Sequence, residues 1–232
     1  MIKKTLALVG LTLSFSTSAA ILSLDSSYGS GTITRDTTSG LDWLDVTVTR
    51  GLSYDQVLDE MAPGGAYTGW RYATVTDLNQ LITNFGYTAI NHDCLEPAQY
   101  CDYMGGDNLI VETMIKTLGD TLDAFLDSTG AAYDTDENGA GHTWGLLAAE
   151  EPDSVVIRAG FIHDRELVRR ESGLLWTDNN DRVTTDFGGA LRGRSDVELG
   201  SFLVSPSAVP VPATIWLFSS ALIGLVGVSR KK

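Results

Sequence analysis

The sequence predicts an α+β fold, one domain of helices and antiparallel strands between residues 21 and 208, and three observations predict it. Apolar residues recur at three- and four-residue spacing over 53–61, 75–85 and 108–126, the mark of helices with one buried face. Short strand-like runs bounded by Gly, Asp and Asn precede them at 28–35 and 41–44 and follow them at 143–148, 154–162, 182–187 and 201–204. Helices gathered early and strands gathered late do not make the regular strand–helix alternation of a parallel sheet. The length suffices for one well-packed core. An all-β sandwich is the alternative architecture.

Each element has a local cause. Tyr28-Gly-Ser-Gly-Thr-Ile-Thr-Arg35 reads as a strand entered through glycines, Asp36 to Gly40 as a turn, and Leu41-Asp42-Trp43-Leu44 as the returning strand. Ser53 opens a helix. Ser53-x-x-Gln56 is a capping box, Tyr54, Val57, Leu58 and Met61 share one side, and Pro63-Gly64-Gly65 ends it. Gly69 to Thr74 runs into a second helix, in which Thr74 caps with Asp77 three residues on. Leu78, Leu81, Ile82 and Phe85 fall at helical spacing there, and Gly86 stops it. The third helix, 108–126, carries an apolar stripe of Val111, Met114, Ile115, Leu118, Leu122, Phe125 and Leu126. Gly119 inside that helix is expected to cost about 1 kcal/mol.

The two ends read as addressing segments and not as fold. Lys3 and Lys4, the apolar run Leu6 to Phe15 and the small residues Ser18-Ala19-Ala20 make a signal peptide over 1–20, for the Sec export machinery, with the mature chain starting near Ile21. At the other end, Ala213 to Val228 is without charge, followed by Arg230-Lys231-Lys232. As a helix that run spans about 24 Å, against roughly 30 Å of bilayer core. It is a marginal membrane span, with Trp216 placed for one interface and the cations for the cytoplasmic side.

Removing the ends changes the charge. Five of the 16 cations leave with them, so 21–208 carries all 30 acidic residues against 11 basic ones, a net of −19. Ten of those cations are arginine, and Lys116 is the sole lysine. Nucleic acid binding needs a basic patch and is excluded as the expected role. The balance also disfavours anionic membrane surfaces, and it suits solubility outside the cell and uptake of divalent cations. Cys94 and Cys101 are expected to form a disulfide in an oxidising compartment. So short a loop stabilises by about 2–3 kcal/mol at most.

The C-terminal segment resembles a known sorting signal. Val209, Pro210, Pro212 and Ala213, then Trp216-Leu217-Phe218, Gly224, Gly227 and Arg230, are similar to the PEP-CTERM signal of Gram-negative bacteria in its Val-Pro-x-Pro-Ala variant. Val211 stands where glutamate is more usual, and Ser219-Ser220 where glycines are frequent. The resemblance implies cutting near the prolines by an exosortase. It further implies transient residence in the inner membrane, then delivery to the cell surface or extracellular matrix in association with exopolysaccharide or biofilm.

A second resemblance lies inside the domain. Thr38-x-Gly40-Leu41-x-Trp43, a capped helix, then Gly69-Trp70-Arg71, Thr74 and Asp77-Leu78 resemble the Lcl/DUF1566 type of extracellular domain, related to the C-type lectin-like fold. Tyr72-Ala73 replaces that family's Leu-Pro, and Gly200 to Val204 is similar to the closing strand of comparable sorted proteins. Residues 36–85 carry the likeness, and 86–141 reads as an insertion. The residues themselves read as structure: Trp43 and Trp70 as core aromatics, Arg71 as a brace for a loop carboxylate or carbonyl.

Few constellations carry chemistry. Asp134, Asp136 and Asn138 place oxygen ligands at alternate positions before Gly139, as calcium loops do. The twelfth position is Gly145 and not the required glutamate, which rejects an EF-hand. An irregular calcium loop, completed by Glu150, Glu151 or another distant acid, and an exposed acidic turn both stay open. Trp144 and Trp176 read either as a sugar-stacking surface or as core. His92, His142 and His163 lie in unrelated segments, without a Gly-x-Ser-x-Gly elbow, a His-Glu-x-x-His pair or a phosphate loop. No catalytic residue is therefore assigned. The expected role is non-catalytic, with polysaccharide as the sharper ligand and a secreted polysaccharide hydrolase as the alternative.

Overall fold

The computed structural model describes residues 20–87, 91–92, 102–104, 108–121, 141–164, 182–185 and 188–207. The order of elements is β1 (Ile21–Ser26), β2 (Gly29–Asp36), β3 (Leu41–Leu44), a 3-10 turn (Val46–Thr49), α1 (Tyr54–Glu60), β4 (Arg71–Tyr72) and α2 (Val75–Asn84). There follow β5 (Asn91–His92), β6 (Asp102–Met104), α3 (Asn108–Leu118), β7 (Gly141–Leu146), β8 (Val156–Asp164) and β9 (Arg182–Thr184). The chain closes with β10 (Gly189–Leu191), β11 (Gly200–Ser201) and β12 (Leu203–Pro206). The fold class is α+β.

One sheet has the order β1-β2-β3-β12-β4, and the other β11-β7-β8-β9-β6-β5 with β10 beside β8. Every pairing is antiparallel except β11 with β7. β12 is the strand that unites the first sheet. Leu203 faces Leu44 on one side and Tyr72 on the other, and Val204 faces Trp43 and Arg71. Because neighbouring residues of a strand point to opposite faces, the sheet separates two cores. Leu44, Tyr72 and Leu203 pack with Tyr54, Val57 and Ile157. Trp43 and Val204 pack with Leu78, Ile82, Met114 and Phe202.

Phe202 joins the two sheets. Between β11 and β12, its N–H donates to the Leu146 carbonyl at 3.0 Å and its carbonyl accepts from Ala73 at 2.8 Å. Its ring, fully buried, meets Trp43 edge-on at 6.3 Å between centroids. Gly145 and Gly160, opposed in β7 and β8, clear a slot for that ring. A Cβ on Gly145 would lie 2.7 Å from it, and one on Gly160 would lie 3.0 Å from it and 2.4 Å from Leu78.

Both capping boxes read from the sequence are formed, Ser53 with Gln56 and Thr74 with Asp77. Trp43 lies on a strand at 1% exposure, whereas Trp70 is only half-buried. Leu58, placed on the buried side of α1 by its spacing, is 41% exposed. It flanks the Tyr54–Val57 stripe, and so short a helix buries little more than that stripe. The third helix stops at Leu118. Gly119, at φ +100°, donates back to the Ile115 carbonyl at 2.9 Å and terminates the helix. There glycine is the favoured residue and the expected interior penalty does not apply. Residues 122–126 lie outside the described residues. Between 86 and 141, α3 sends Val111, Met114, Ile115 and Leu118 into the main core.

Candidate functional site

The two halves of the Thr38–Trp43 and Gly69–Leu78 motif meet across β12, where Val204 has Trp43 on one side and Arg71 on the other. The first half is built on Asp36. This carboxylate is fully buried at the end of β2. It accepts from the amides of Thr38 (2.9 Å) and Ser39 (3.3 Å), the Ser39 hydroxyl (2.6 Å) and Asn84 Nδ2 (2.6 Å). The turn closes through the Gly40 amide on the Asp36 carbonyl, and Gly40 sits at φ +70°, a conformation that glycine adopts without strain. Thus the Thr38-x-Gly40 spelling is the local requirement of an Asp-centred turn. Trp43 holds its place by packing, since its buried indole N–H has no hydrogen-bond partner among the described residues.

The second half is an ion-paired helix cap. Arg71 donates from Nη1 to Asp77 Oδ2 at 2.7 Å and from Nη2 to Oδ1 at 3.2 Å, and Nη1 also reaches the Tyr72 carbonyl at 3.0 Å. The same carboxylate accepts from the Thr74 amide at 2.8 Å and the Thr74 hydroxyl at 2.7 Å. Arg71 therefore braces a carboxylate and a carbonyl. Burial pushes the Asp77 carboxyl up, but the hydrogen bonds from Arg71 and Thr74 outweigh it and hold the group below its ordinary 3.8. A depressed folded-state value gives stability that is complete above the unfolded value and is lost as pH falls through the folded one. Unfolding measured from about pH 6 to pH 2 should show wild type weakening below 3.8 more steeply than Asp77→Asn. Parallel curves would mean that the brace contributes nothing to stability.

A second polar cluster forms where α3 ends against β7. The Thr121 amide donates to the His142 carbonyl at 2.7 Å, the His142 amide to Asp120 Oδ1 at 3.1 Å, and the Thr143 hydroxyl to the Gly119 carbonyl at 2.7 Å. His142 Nε2 stands 4.0 Å from Glu198 Oε2, beyond hydrogen-bond range, and its ring lies 5.2 Å from that of Phe161. Asp45 abuts Gly119 so closely that a Cβ there would fall 1.9 Å from its Oδ1. Burial raises the Asp45 carboxyl above its ordinary value against hydrogen bonds from Thr47. The glycine in the apolar stripe was the one sequence signal of this contact, and nothing in the sequence named Asp45 as its cause.

A third arrangement joins residues distant in the sequence. Tyr54 and Tyr72 stack at 4.1 Å with 16° between planes, and the Arg192 guanidinium lies 4.9 Å over the Tyr54 ring. Arg192 is held by Asp55 Oδ1 at 2.8 Å and the Pro152 carbonyl at 2.7 Å. The Tyr72 hydroxyl donates to the Tyr54 carbonyl at 3.0 Å, and burial pushes that phenol well above its ordinary value. Both faces of Tyr54 are thereby occupied. Trp144, half-buried, meets Phe161 edge-on at 6.5 Å. Its partner in the suggested stacking surface, Trp176, lies outside the described residues.

Also outside the described residues lie Asp134, Asp136 and Asn138, both cysteines, and Val209, Pro210, Pro212, Ala213 and Arg230. Among the described residues no three His, Cys, Asp or Glu groups are placed to hold a metal ion, and no helix is long and apolar enough to cross a membrane. No family model, no curated protein sequence and no solved structure matches this chain.

Proposed function

We propose that this chain is an exported surface or extracellular-matrix protein, sorted by an exosortase after Sec export, that binds polysaccharide without transforming it. One observation carries the reading: the proline motif, the apolar run and the basic terminus occur in that order over Val209–Lys232. The signal-like start at 1–20, with Lys3 and Lys4, the apolar run Leu6 to Phe15 and the small residues Ser18-Ala19-Ala20, supports it independently. A C-type lectin-like domain is the finer fold within this proposal. Trp43 on a strand, a helix from Val75 and the Arg71–Asp77 brace support it.

The cysteine pair belongs to the same proposal, since an exported chain meets an oxidising compartment. Asn91 opposes Met104 and His92 opposes Tyr103 in the β5–β6 ladder. No cofactor is part of the proposal; calcium at Asp134, Asp136 and Asn138 is the one candidate, on the alternation of oxygen ligands alone, beside a plain acidic turn.

The test uses purified 21–208 against neutral, cationic and anionic polysaccharides, with and without calcium, beside glycosidase, esterase and protease substrates. Binding should favour neutral or cationic polymers, because a net of −19 repels anionic ones at low salt. Turnover abolished by one carboxylate substitution, with folding intact, would replace the binding role with a hydrolase. Failure to bind any polysaccharide would leave a purely structural matrix role.

A further inference from the structure

The first sheet lines up a row of side chains beside one of its cores. Leu22 on β1 opposes Arg35 on β2, Arg35 opposes Asp42 on β3, and Asp42 opposes Ser205 on β12. Trp70 stands one residue before the Arg71–Val204 pair and ends the row at β4. Side chains two apart on a strand share a face. The row therefore lies on the face of Ile33, Leu44, Leu203 and Tyr72, which pack together in one core. Trp70, half-buried, packs against that same core, which fixes its ring on this face.

Unlike the covered residues beside it, the row reaches solvent. Leu22 is 44% exposed, the side chains of Arg35 and Asp42 keep 23% and 13% of their surface, and Ser205 is half-buried. From Leu22 to Trp70 it crosses five strands, about 19 Å at the ordinary strand spacing. Arg35 Nε and Nη2 each donate to Asp42 at 2.7 Å, a two-point fork that holds both groups in one plane. Arg35 Nη1, the Ser205 hydroxyl and the Trp70 indole N–H have no hydrogen-bond partner among the described residues.

These groups match one ligand chemistry. Arg35 Nη1 and the indole N–H donate, the remaining lone pairs of Asp42 accept, and Ser205 does both. Sugar hydroxyls both donate and accept, and a pyranose ring offers an apolar C–H face to an indole. The fork is already ordered, so little freedom is lost when a chain settles on it. An anionic polymer is served less well, because the guanidinium is committed to Asp42. We propose that the row from Leu22 to Trp70 is the polysaccharide-binding surface of this domain and takes a neutral chain lying across the strands, with one sugar ring on Trp70 and hydroxyls on Asp42, Arg35 and Ser205. The inference rests on the proposed polysaccharide-binding role.

The test labels the full-length chain, in detergent, with 5-fluorotryptophan and titrates it with the neutral fraction of the exopolysaccharide from its own cells. The fluorine resonance that Trp70→Phe removes should shift as polymer is added. In affinity electrophoresis through the same polymer, Trp70→Ala and Asp42→Asn should each weaken retention by about tenfold, whereas Leu191→Ala, exposed on the other sheet, should leave it unchanged. Should either row variant unfold, the fluorine shift in the unsubstituted chain decides alone. Retention of the wild type with shifts confined to other tryptophans would overturn this surface and leave the polysaccharide role standing. No retention and no shift would overturn that role and the surface with it. A concentration-dependent dimer that Trp70→Ala dissociates, with retention unaffected, would overturn the proposal in favour of a second copy of the chain on this face.

Discussion

Phe202→Ala should destabilise the domain by about 3–5 kcal/mol, the largest single effect expected among the described residues. The ring is fully buried, meets Trp43 edge-on and fills a slot kept open by Gly145 and Gly160. Its main chain carries the last strand from one sheet to the other through hydrogen bonds to Leu146 and Ala73. Truncation empties the slot where the two sheets and both halves of the motif converge. The companion change, Gly145→Ala, drives a methyl group to within 2.7 Å of that ring and should cost about 1–3 kcal/mol. In the Phe202→Ala background the same methyl enters the cavity, so the two costs should not add. Denaturant midpoints of the four proteins measure this. Additive costs, or a loss under about 1 kcal/mol for Phe202→Ala, would show that the slot does not join the sheets.

Asp36→Ala is expected to cost about 2–4 kcal/mol, because it leaves four donors without their acceptor. All four groups around Asp36 donate to it: two amides, one hydroxyl and the Asn84 amide nitrogen. Asp36→Asn is therefore not a conservative change. Its NH2 group would face donors, and it should destabilise nearly as much as alanine does. A stable Asp36→Asn protein would mean that the turn re-forms around water. Because Asp36 ties the β2–β3 turn to α2, either substitution should also loosen the turn to which Ala20 and Ser207 are hydrogen-bonded.

The legible parts of this molecule were the local ones. Ser53 with Gln56 and Thr74 with Asp77 cap helices through contacts three residues apart, which a sequence displays directly. Arg71 could be read as a brace for the same reason, since its partner Asp77 belongs to that cap. The illegible parts are non-local. Nothing near residue 203 indicates that β12 lies between β3 and β4, and nothing near Tyr54 points to Tyr72 or Arg192. β1 escaped notice because it adjoins the export segment and pairs as an edge strand with a bulge between Leu24 and Ser26. Gly119 was visible as an anomaly, but its neighbour Asp45 comes from a distant segment, so the anomaly read as a helix penalty and not as a cap.

The central claim is that this chain is exported and sorted through its C-terminal signal, and one measurement tests it most directly: the intact mass of the protein recovered from its own cells, before and after reduction. The proposed function predicts a chain that lacks about the first 20 residues and the segment beyond the proline motif, and that gains two hydrogens on reduction as the Cys94–Cys101 bond opens. A full-length chain of 24.9 kDa retaining Arg230 to Lys232, with both thiols already free, would contradict it.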